Sequence, residues 1–450
     1  MGSRICAVCV HEPYLSWLAN TSTVTDQECD FCNQVRGTLD TDDVLDRCER
    51  VLQDYYQPSS LSDEVLVRGE EPDGEPLRQV IEELLGANDD VLEELVDGLS
   101  NRWFDESSHD SLYGEYPYFV ERSRQRSMYN DDWRRMERSL RTEARLVNPQ
   151  VTQTLEKVFG PIQQHQTWEG DDVIVEVGPG TEIETVFRAR VFQELETLES
   201  ALYYPAREIG PPPAGIGRAG RMNAQGVSVF YGATEPAVAI AEVRPPVGSH
   251  VVVGSFQITR RLRILDLDKL EHVVIGRNAS YFDPSTREIV ERNGFLRSLT
   301  RRLVMPVMPE HESSGYLVTQ AVADFLSTHP HLSVDGILFK SVQHDGSSED
   351  AGRNLVLFNK ASRVEGTERG TDSVVQDVSL FDYDEDGEYF YPRITLKKPE
   401  DIKPIDPLEI EPDSREVTLQ LDLDQLNVNK VKGAEYRTDD TLVRAWHPSS

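Results

Sequence analysis

The sequence predicts an α+β protein, in which a cysteine-rich segment and a helical region precede a domain built from strands and helices. Three observations lead to this fold class. Four of the five cysteines lie between residues 6 and 32. Apolar residues recur at helical spacing from about residue 39 to residue 160. From residue 173 onward, short β-branched runs are mixed with helical patterns without strict alternation, which favours an α+β domain over a doubly wound sheet.

The composition indicates a globular, acidic protein of more than one domain. A chain of 450 residues with 38% hydrophobic residues is too long for one core and apolar enough to fold into two or three domains. It contains no run of about 18 apolar residues, and no apolar signal-peptide core follows Met1, so we expect a cytoplasmic protein without a membrane partner. The net charge of −33 repels phosphate backbones, which disfavours a nucleic-acid partner but leaves a local nucleotide site open.

The N-terminal cysteines have the spacing of a metal site. Cys6 and Cys9 form one Cys-x-x-Cys pair, Cys29 and Cys32 form a second, and nineteen residues separate the two pairs. Such pairs can arrange four thiolates tetrahedrally around one zinc ion. Two disulfides or four free thiols are the alternatives, and a reducing cytosol disfavours the disulfides. We therefore predict a structural Zn²⁺ site in a zinc ribbon or knuckle over residues 1–38, with no open coordination position for catalysis.

The next segment, residues 39–165, is predicted to be all helical. Polar residues at 41–43 offer an N-cap, and Cys48 falls on the apolar face of the helix that follows. Arg102 and His109 are loosely similar to the Arg-x4-6-His signature of HEPN ribonucleases, so this region is interpreted as HEPN-like. The spacing is permissive and the intervening residues resemble a loop, so a ribonuclease site is not expected. Further amphipathic runs cover residues 77–85, 91–99, 128–147 and 151–159.

Residues 166–365 are predicted to form the α+β domain. Gly215, Gly217 and Gly220 follow three prolines rather than a strand and open no helix, so a Rossmann dinucleotide site is disfavoured. The last segment, residues 366–450, is predicted to be an acidic, strand-containing extension in which no chemistry is visible. The predicted strands are 173–177, 185–191, 227–231, 251–258, 262–265 and 336–339, and the predicted helices are 236–242, 283–303 and 316–327.

A glycine- and proline-rich stretch at residues 210–226 has the character of a ligand-binding loop. Gly220 and its neighbouring glycines let a backbone approach a ligand closely. Arg221 offers a bidentate fork suited to phosphate, and Asn223 offers both a donor and an acceptor.

Two further polar residues follow this loop. Tyr231 closes a strand, where its ring can stack on an aromatic base. Glu242 follows the small apolar run at residues 237–241, which is expected to desolvate a carboxylate. Such a residue is either a salt-bridged structural group or an active-site acid with a perturbed pKa. From the residues alone, the stretch predicts a nucleotide-sized anion site with one desolvated carboxylate.

The same stretch resembles the RES family of NAD-degrading toxins, in particular its larger members with an N-terminal zinc knuckle and a HEPN-like region. In that family an Arg, a Tyr, a Glu and a Ser line the NAD site, which implies catalytic roles for Arg188, Tyr231, Glu242 and Ser341. Arg190 is a second candidate for the arginine role because it lies two residues along the same strand face. The motifs that carry the resemblance are Phe187-Arg188-Ala189-Arg190, Gly220-Arg221-Met222-Asn223, Phe230-Tyr231-Gly232-Ala233, Ala239-Ile240-Ala241-Glu242, Leu265-Asp266-Leu267 and Asp335-Gly336-Ile337-Leu338-Phe339-Lys340-Ser341.

The resemblance implies an ADP-ribosyltransferase-like fold and an NAD⁺ phosphorylase or glycohydrolase. NAD⁺ is then the substrate, its nicotinamide–ribose bond is cleaved, and phosphate or water is the acceptor. Contacts to the dinucleotide are expected from Arg190, Gly220, Arg221 and Asn223. Met222 departs from the aromatic or small polar residue that many members have there, so ring stacking from this loop is not implied. The resemblance further implies a toxin or anti-phage defence effector, and it leaves room for an antitoxin or other regulatory partner and for a homo-oligomer.

Two other functions stay open at this stage. The first is an ADP-ribosyltransferase that modifies a macromolecule. Enzymes of that kind often carry a second acidic residue two positions before the catalytic Glu, and Ile240 occupies that position here. The second is a zinc-containing nucleotide sensor without turnover, which the intact set of Arg, Tyr, Glu and Ser side chains disfavours.

Overall fold

The computed structural model describes residues 3–21, 27–59, 74–105, 110–113, 117–121, 128–167, 169–273, 280–304, 315–341, 352–367, 373–402, 413–435 and 440–443. Its contacts divide the chain into two compact units, Met1–Arg134 with Val273–Ser298 and Arg135–His272 with Leu299–Ser450. Residues 273–298 group with the first unit although they lie inside the predicted 166–365 segment. The limits of the four predicted domains stay predictions. Within the described ranges, no helix combines the length and apolar character needed to cross a lipid bilayer.

The first unit has a helical core beside a small cysteine-rich hairpin. The apolar face predicted around Cys48 is confirmed, because this side chain and its helical neighbours Val44 and Leu52 are buried. The N-cap is Asp40, just before the predicted cap residues, and its carboxylate accepts the backbone N–H of Asp42 at 3.1 Å. The elements are β1 (Arg4–Cys6), α1 (Pro13–Thr21), β2 (Gln27–Glu28), β3 (Val35–Arg36), β4 (Thr38–Asp40), α2 (Thr41–Tyr55), α3 (Leu77–Leu85) and α4 (Asp89–Trp103).

The prediction that residues 39–160 are all helical is wrong in one respect, because short strands lie between the helices. A three-stranded sheet has the order β5 (Tyr56–Pro58), β9 (Tyr118–Glu121), β6 (Glu75–Pro76). A further pair joins β7 (Phe104–Asp105) to β8 (Asp110–Ser111). These strands have two to four residues each, so no alternating pattern can build up in the sequence, and β5 and β6 pair with a distant segment, β9.

The second unit is built on one eight-stranded sheet. Its strands are β10 (Ile174–Val177), β11 (Thr185–Phe192), β12 (Phe230–Ala233), β13 (His250–Ile258), β14 (Leu262–Asp266), β15 (Gly336–Lys340), β16 (Arg353–Leu357) and β19 (Leu419–Lys430), and a separate hairpin joins β17 (Val375–Asp384) to β18 (Gly387–Leu396). The order across the sheet is β10-β14-β15-β16-β12-β11-β13-β19. Neighbours are antiparallel except for the parallel pair β14–β15. A mixed sheet of this order agrees with the predicted α+β class.

Helices separate several of these strands along the chain. The helix predicted at residues 236–242 is confirmed, and those predicted at 283–303 and 316–327 are shifted by one to four residues at their ends. The helices are α5 (Met128–Thr142), α6 (Pro149–Phe159), α7 (Leu195–Tyr203), α8 (Pro205–Ile209), α9 (Pro236–Glu242), α10 (Leu267–Glu271), α11 (Arg287–Val304) and α12 (Leu317–Thr328), of which α5 and α11 contain division points between the units. Single 3₁₀ turns lie at Ile162–Gln164, Pro284–Thr286, Asn359–Ala361 and Pro399–Asp401.

The C-terminal extension contributes to the core of the second unit. β19 pairs along β13, and its first residue, Leu419, is fully buried in the same apolar cluster as Phe230 and Phe256. The extension therefore contains strands, as predicted, and β19 forms one edge of the sheet. Residues of the predicted C-terminal extension therefore help to bury the central strands of the sheet.

Leu419→Ala is expected to destabilise the second unit by about 2–5 kcal/mol, because the truncation leaves a cavity in a close-packed cluster. Leu396→Ala on β18 is the matched control, since that side chain is 47% exposed. Urea unfolding of the full chain measures both. Equal midpoints for the two variants would show that β19 is not part of the core.

Candidate functional site

A cavity of about 260 Å³ opens in the second unit beside the middle of the sheet. Three of the predicted catalytic residues line it: Arg188 from β11, Tyr231 from β12 and Glu242 from the end of α9. Apolar side chains form much of the remaining wall, among them Ala239, Val243, Phe339 and Val356. Charged groups of both signs therefore share one largely apolar cavity.

Arg188 is half-buried and held by neutral groups. Its guanidinium donates to the carbonyl oxygens of Ile209 at 2.9 Å and Tyr231 at 2.7 Å, and it lies 5.5 Å from the centre of the Phe230 ring. Burial lowers the pKa of Arg188 to about 10, which leaves it charged at neutral pH. Two of its five N–H donors are used, and no described carboxylate pairs with it. The group is thus a desolvated cation with spare donors.

Arg190, the alternative for the arginine role, lies differently. Its side chain is exposed, pairs with the Glu208 carboxylate at 2.9 Å and lies 5.4 Å from the Phe192 ring centre. Arg188 and Arg190 lie two residues apart on β11, but Arg188 lines the cavity whereas Arg190 is exposed to solvent. The geometry favours Arg188.

The hydroxyl group of Tyr231 is engaged by the protein. It donates to Asn223 Oδ1 at 2.8 Å and accepts the backbone N–H of Met222 at 2.9 Å, while its ring borders the cavity. Burial raises the pKa of Tyr231 to about 12, so the phenol stays protonated at neutral pH. The ring can contact a ligand, and the hydroxyl group fixes where the ring lies.

Asn223 is buried, and its hydrogen bonds are internal. Besides accepting from Tyr231, its Nδ2 donates to the carbonyl oxygens of Arg218, Ala224 and Val227 at 3.0–3.1 Å. A side chain so occupied braces the loop. Its predicted contact with a dinucleotide remains a prediction that this geometry does not support.

Gly220 and Arg221 also contribute to the structure of the loop at residues 210–226. A Cβ on Gly220 would lie 2.6 Å from Asn223 Oδ1 and 2.7 Å from Tyr231 Oη, so glycine is needed for the Tyr231–Asn223 contact. Arg221 donates to the carbonyl oxygen of Val304 at 2.7 Å, and its own carbonyl oxygen accepts from Thr319. Neither residue borders the cavity.

Glu242 stands where α9 must end. Pro245 and Pro246 cannot continue the helix, and Arg244 has a positive φ of 43°. A carboxylate in the last helical turn is not stabilised by the helix dipole. Sheet residues supply the stabilisation instead, because Oε1 accepts from Ser341 Oγ at 3.2 Å and from Asn354 Nδ2 at 2.7 Å.

The expected desolvation of Glu242 is wrong, because the residue is exposed. The apolar run before it points elsewhere: Val238 and Ala239 are buried in an apolar cluster against the sheet, while the carboxylate emerges at the cavity. Ser341 is buried and does not line the cavity. It contacts the site by donating a hydrogen bond to Glu242.

Asn354 is the site residue that the sequence prediction missed. It lies on β16, is 5% exposed, and borders the cavity beside Glu242. Strand β16 itself was not predicted. The available signal was an asparagine directly before the apolar run Leu355–Leu357, since asparagine is depleted in buried strands.

The predicted metal ligands come together in the first unit. The sulfur atoms of Cys6, Cys9, Cys29 and Cys32 all lie within 4.8 Å of one another, and no disulfide joins them. The resolved S–S separations are 3.6, 3.7 and 3.8 Å. A tetrahedral zinc site with Zn–S bonds of about 2.3 Å requires sulfur atoms about 3.8 Å apart. The cluster therefore fits a metal such as zinc.

The local backbone explains this convergence. Cys9 N–H donates to the Cys6 carbonyl oxygen at 3.0 Å, and Asn33 N–H donates to that of Cys29 at 2.8 Å. Asn33 takes a positive φ of 55°, which asparagine tolerates better than most residues, and this closes the second turn. In addition, the backbone N–H of Cys6 donates to Cys29 Sγ at 3.4 Å, which connects the two turns.

The loose HEPN-type pair is not assembled in the described part of the chain. Arg102 pairs with Asp46 at 2.5 Å and Asp42 at 3.0 Å on α2. His109 lies outside the described residues. Arg102 thus has a structural role in joining α4 to α2.

Comparison with known families identifies one domain. Residues 185–376 match the family model described as the RES domain. The match begins at the first residue of β11 and ends within β17, so it includes every residue placed at the cavity above. It does not reach the cysteine cluster or β19. No curated protein and no solved structure matches the chain.

Tyr231→Phe is expected to destabilise the second unit by about 1–3 kcal/mol, because the Met222 N–H and Asn223 Oδ1 lose their shared partner. Tyr383→Phe is the control: that tyrosine is 72% exposed, and its hydroxyl group donates to Glu388 at the surface. Urea midpoints without ligand measure both variants. If Tyr231→Phe is as stable as the control, the hydroxyl group does not brace the loop.

Proposed function

We propose that the RES domain of this chain cleaves the nicotinamide–ribose bond of NAD⁺, with phosphate or water as acceptor. The observation that carries the proposal is the meeting of Arg188, Tyr231 and Glu242 in one cavity, inside the segment that matches the RES model. The RES family is associated with NAD-related toxin activity. A cavity of about 260 Å³ is small for a complete dinucleotide, since typical small-molecule sites hold about 300–1,000 Å³. The cavity volume suits the nicotinamide riboside part of NAD⁺.

Glu242 supplies the anion that this reaction needs. Nicotinamide leaves as a neutral molecule, so no general acid is required, and positive charge develops on the ribose ring. A carboxylate beside that ring stabilises the charge most effectively when it is already oriented. The two hydrogen bonds at Oε1 provide the orientation, and among the described residues nothing bonds Oε2. We assign Oε2 to the ribose.

Arg188 binds the anionic part of the reactants. A half-buried cation without a carboxylate partner gains most from an anion that enters the cavity. The diphosphate of NAD⁺ and an incoming phosphate both meet this description. Tyr231 then packs its ring against the ligand, while Asn223, Gly220 and Arg221 hold the tyrosine in place.

Modification of a macromolecule is the alternative reaction. Ile240, two residues before Glu242, packs into the apolar cluster below α9, so no second carboxylate stands at that position. This favours small acceptors. A nucleotide sensor without turnover is the other alternative, and the activity assay separates it from the enzyme.

A toxin or defence role requires restraint of the activity in the cell. An antitoxin, a regulatory partner, a homo-oligomer or the HEPN-like helices of this chain could each provide it. These regulators remain proposals. We also propose that the protein is cytoplasmic.

Incubation of the full-length protein with NAD⁺ is expected to release nicotinamide, and chromatography distinguishes the co-products. Phosphate as acceptor gives ADP-ribose 1″-phosphate, and water gives ADP-ribose. Glu242→Gln keeps the shape but removes the charge, and it should lower kcat by roughly 10²–10³-fold. Glu196→Gln on the exposed face of α7 is the matched control.

Intact NAD⁺ with and without phosphate would contradict the proposal. Full activity of Glu242→Gln would contradict the mechanism alone. The two arginines provide a second comparison: Arg188→Lys should lose at least about tenfold, since lysine cannot keep both carbonyl contacts and still reach an anion, whereas Arg190→Lys should change little.

We also propose that the cysteine cluster holds one structural Zn²⁺ ion. Its four sulfur atoms form a closed ligand set, and it lies outside the RES match, so the metal stabilises the first unit and takes no part in catalysis.

Metal analysis of the purified protein is expected to give one zinc per chain. Cys29→Ser should abolish retention and lower the unfolding temperature, because metal-binding free energy contributes to folding. Cys48→Ala is the control, since Cys48 is also fully buried but lies outside the cluster. Zinc retained by Cys29→Ser, or lost from Cys48→Ala, would count against the site.

A further inference from the structure

Asn354 is a buried polar side chain that the proposed reaction leaves without a complete role. It lies on a central strand, between β15 and β12, where it is opposite Phe339 on one side and Ala233 on the other. Its side chain faces the cavity, as does that of Val356 two residues along. The residues that follow it in β16 are apolar and buried. An amide in such a position costs free energy unless both of its ends are paired.

One end of this amide is paired, and the pairing fixes the orientation. Nδ2 donates to Glu242 Oε1 at 2.7 Å, since a carboxylate oxygen requires a donor. The carbonyl end, Oδ1, therefore points away from Oε1. It is buried and has no hydrogen-bond partner in the part of the chain that the structure describes. Asn354 thus carries a buried, unpaired acceptor and is itself a residue that borders the cavity.

Glu242 presents a second acceptor beside it. Both hydrogen bonds of the carboxylate fall on Oε1, and Oε2 has none from the described residues. The hydrogen bond between the two side chains keeps Glu242 Oε2 and Asn354 Oδ1 in one cluster. A ligand that pairs both of these oxygen atoms brings two hydrogen-bond donors.

We propose that Asn354 is a substrate-binding residue. Asn354 Oδ1 and Glu242 Oε2 each accept a hydrogen bond from one of the two hydroxyl groups of a ribose cis-diol. This rests on the proposed function and specifies which part of NAD⁺ the cluster recognises. A vicinal diol has one O–H donor on each of two adjacent carbons. The diphosphate of NAD⁺ offers no donor at neutral pH and is repelled by Glu242, so Arg188 and the Asn354–Glu242 pair bind different parts of the ligand.

The carboxamide of nicotinamide is the competing ligand group, because its NH₂ also donates. Two small ligands separate the alternatives. ADP-ribose carries the ribose diol without nicotinamide, and nicotinamide carries the carboxamide without ribose. Their binding to the full-length protein can be measured by calorimetry without turnover.

Asn354→Ala is expected to weaken ADP-ribose binding by about tenfold or more and to leave nicotinamide binding unchanged. Asn429→Ala, at an exposed asparagine on β19, is the matched control. Asn354→Leu fills the same volume with apolar atoms, so it keeps the test available if Asn354→Ala does not fold. If Asn354 acted only by orienting Glu242, Asn354→Ala would cause no further loss of ADP-ribose affinity in a Glu242→Ala background, whereas a direct contact with the diol gives a loss in both backgrounds.

Unchanged ADP-ribose affinity in Asn354→Ala, or a loss confined to nicotinamide, would overturn the proposal. If wild type cleaves NAD⁺ and either result is found, the diol assignment fails while the proposed function stands. If wild type binds ADP-ribose through Asn354 but leaves NAD⁺ intact, the proposed reaction fails and the diol site stands. If wild type binds neither ADP-ribose nor NAD⁺, both fail.

Discussion

The hydrogen bonds on one oxygen of Glu242 are the interaction on which the cavity depends. They join the end of α9 to β16 through Asn354 and to the end of β15 through Ser341. A glutamate in a last helical turn has many rotamers and no help from the helix dipole, so it would otherwise be free in solvent. Fixing one oxygen leaves the other at a defined place, which is the requirement for an anion that must stabilise charge without reorganising.

The second constraint is that Arg188 and Glu242 share a cavity without pairing. A direct ion pair would neutralise both groups and close the site. Here Arg188 is held by two carbonyl oxygens and Glu242 by a hydroxyl group and an amide, so each charge is kept in place by neutral groups. A ligand that is anionic at one end and develops positive charge at the other complements this arrangement. NAD⁺ with a diphosphate and a reacting ribose is such a ligand.

The parts of the chain outside the RES match have structural roles that differ in kind. β10 and β19 form the two edges of the eight-stranded sheet, so the domain is finished by residues on both sides of the matched segment. The cysteine cluster instead connects two short turns, and Ile5, Val10 and three of its four cysteines are buried in the apolar core of the first unit.

The sequence by itself predicted the cysteine cluster, the α+β class and most helices and strands of the second unit, because these follow from local spacing and periodicity. Motif resemblance also pointed to Arg188, Tyr231 and Glu242, which meet at one cavity. Tertiary structure alone decided the rest. It separated Arg188 from Arg190, assigned Asn223 to the support of Tyr231, exposed Glu242 and brought in Asn354 from a strand that was not predicted. Each of these depends on which groups meet in the folded chain. Glu242 and Asn354, for example, are 112 positions apart, and nothing in a single sequence marks their pairing.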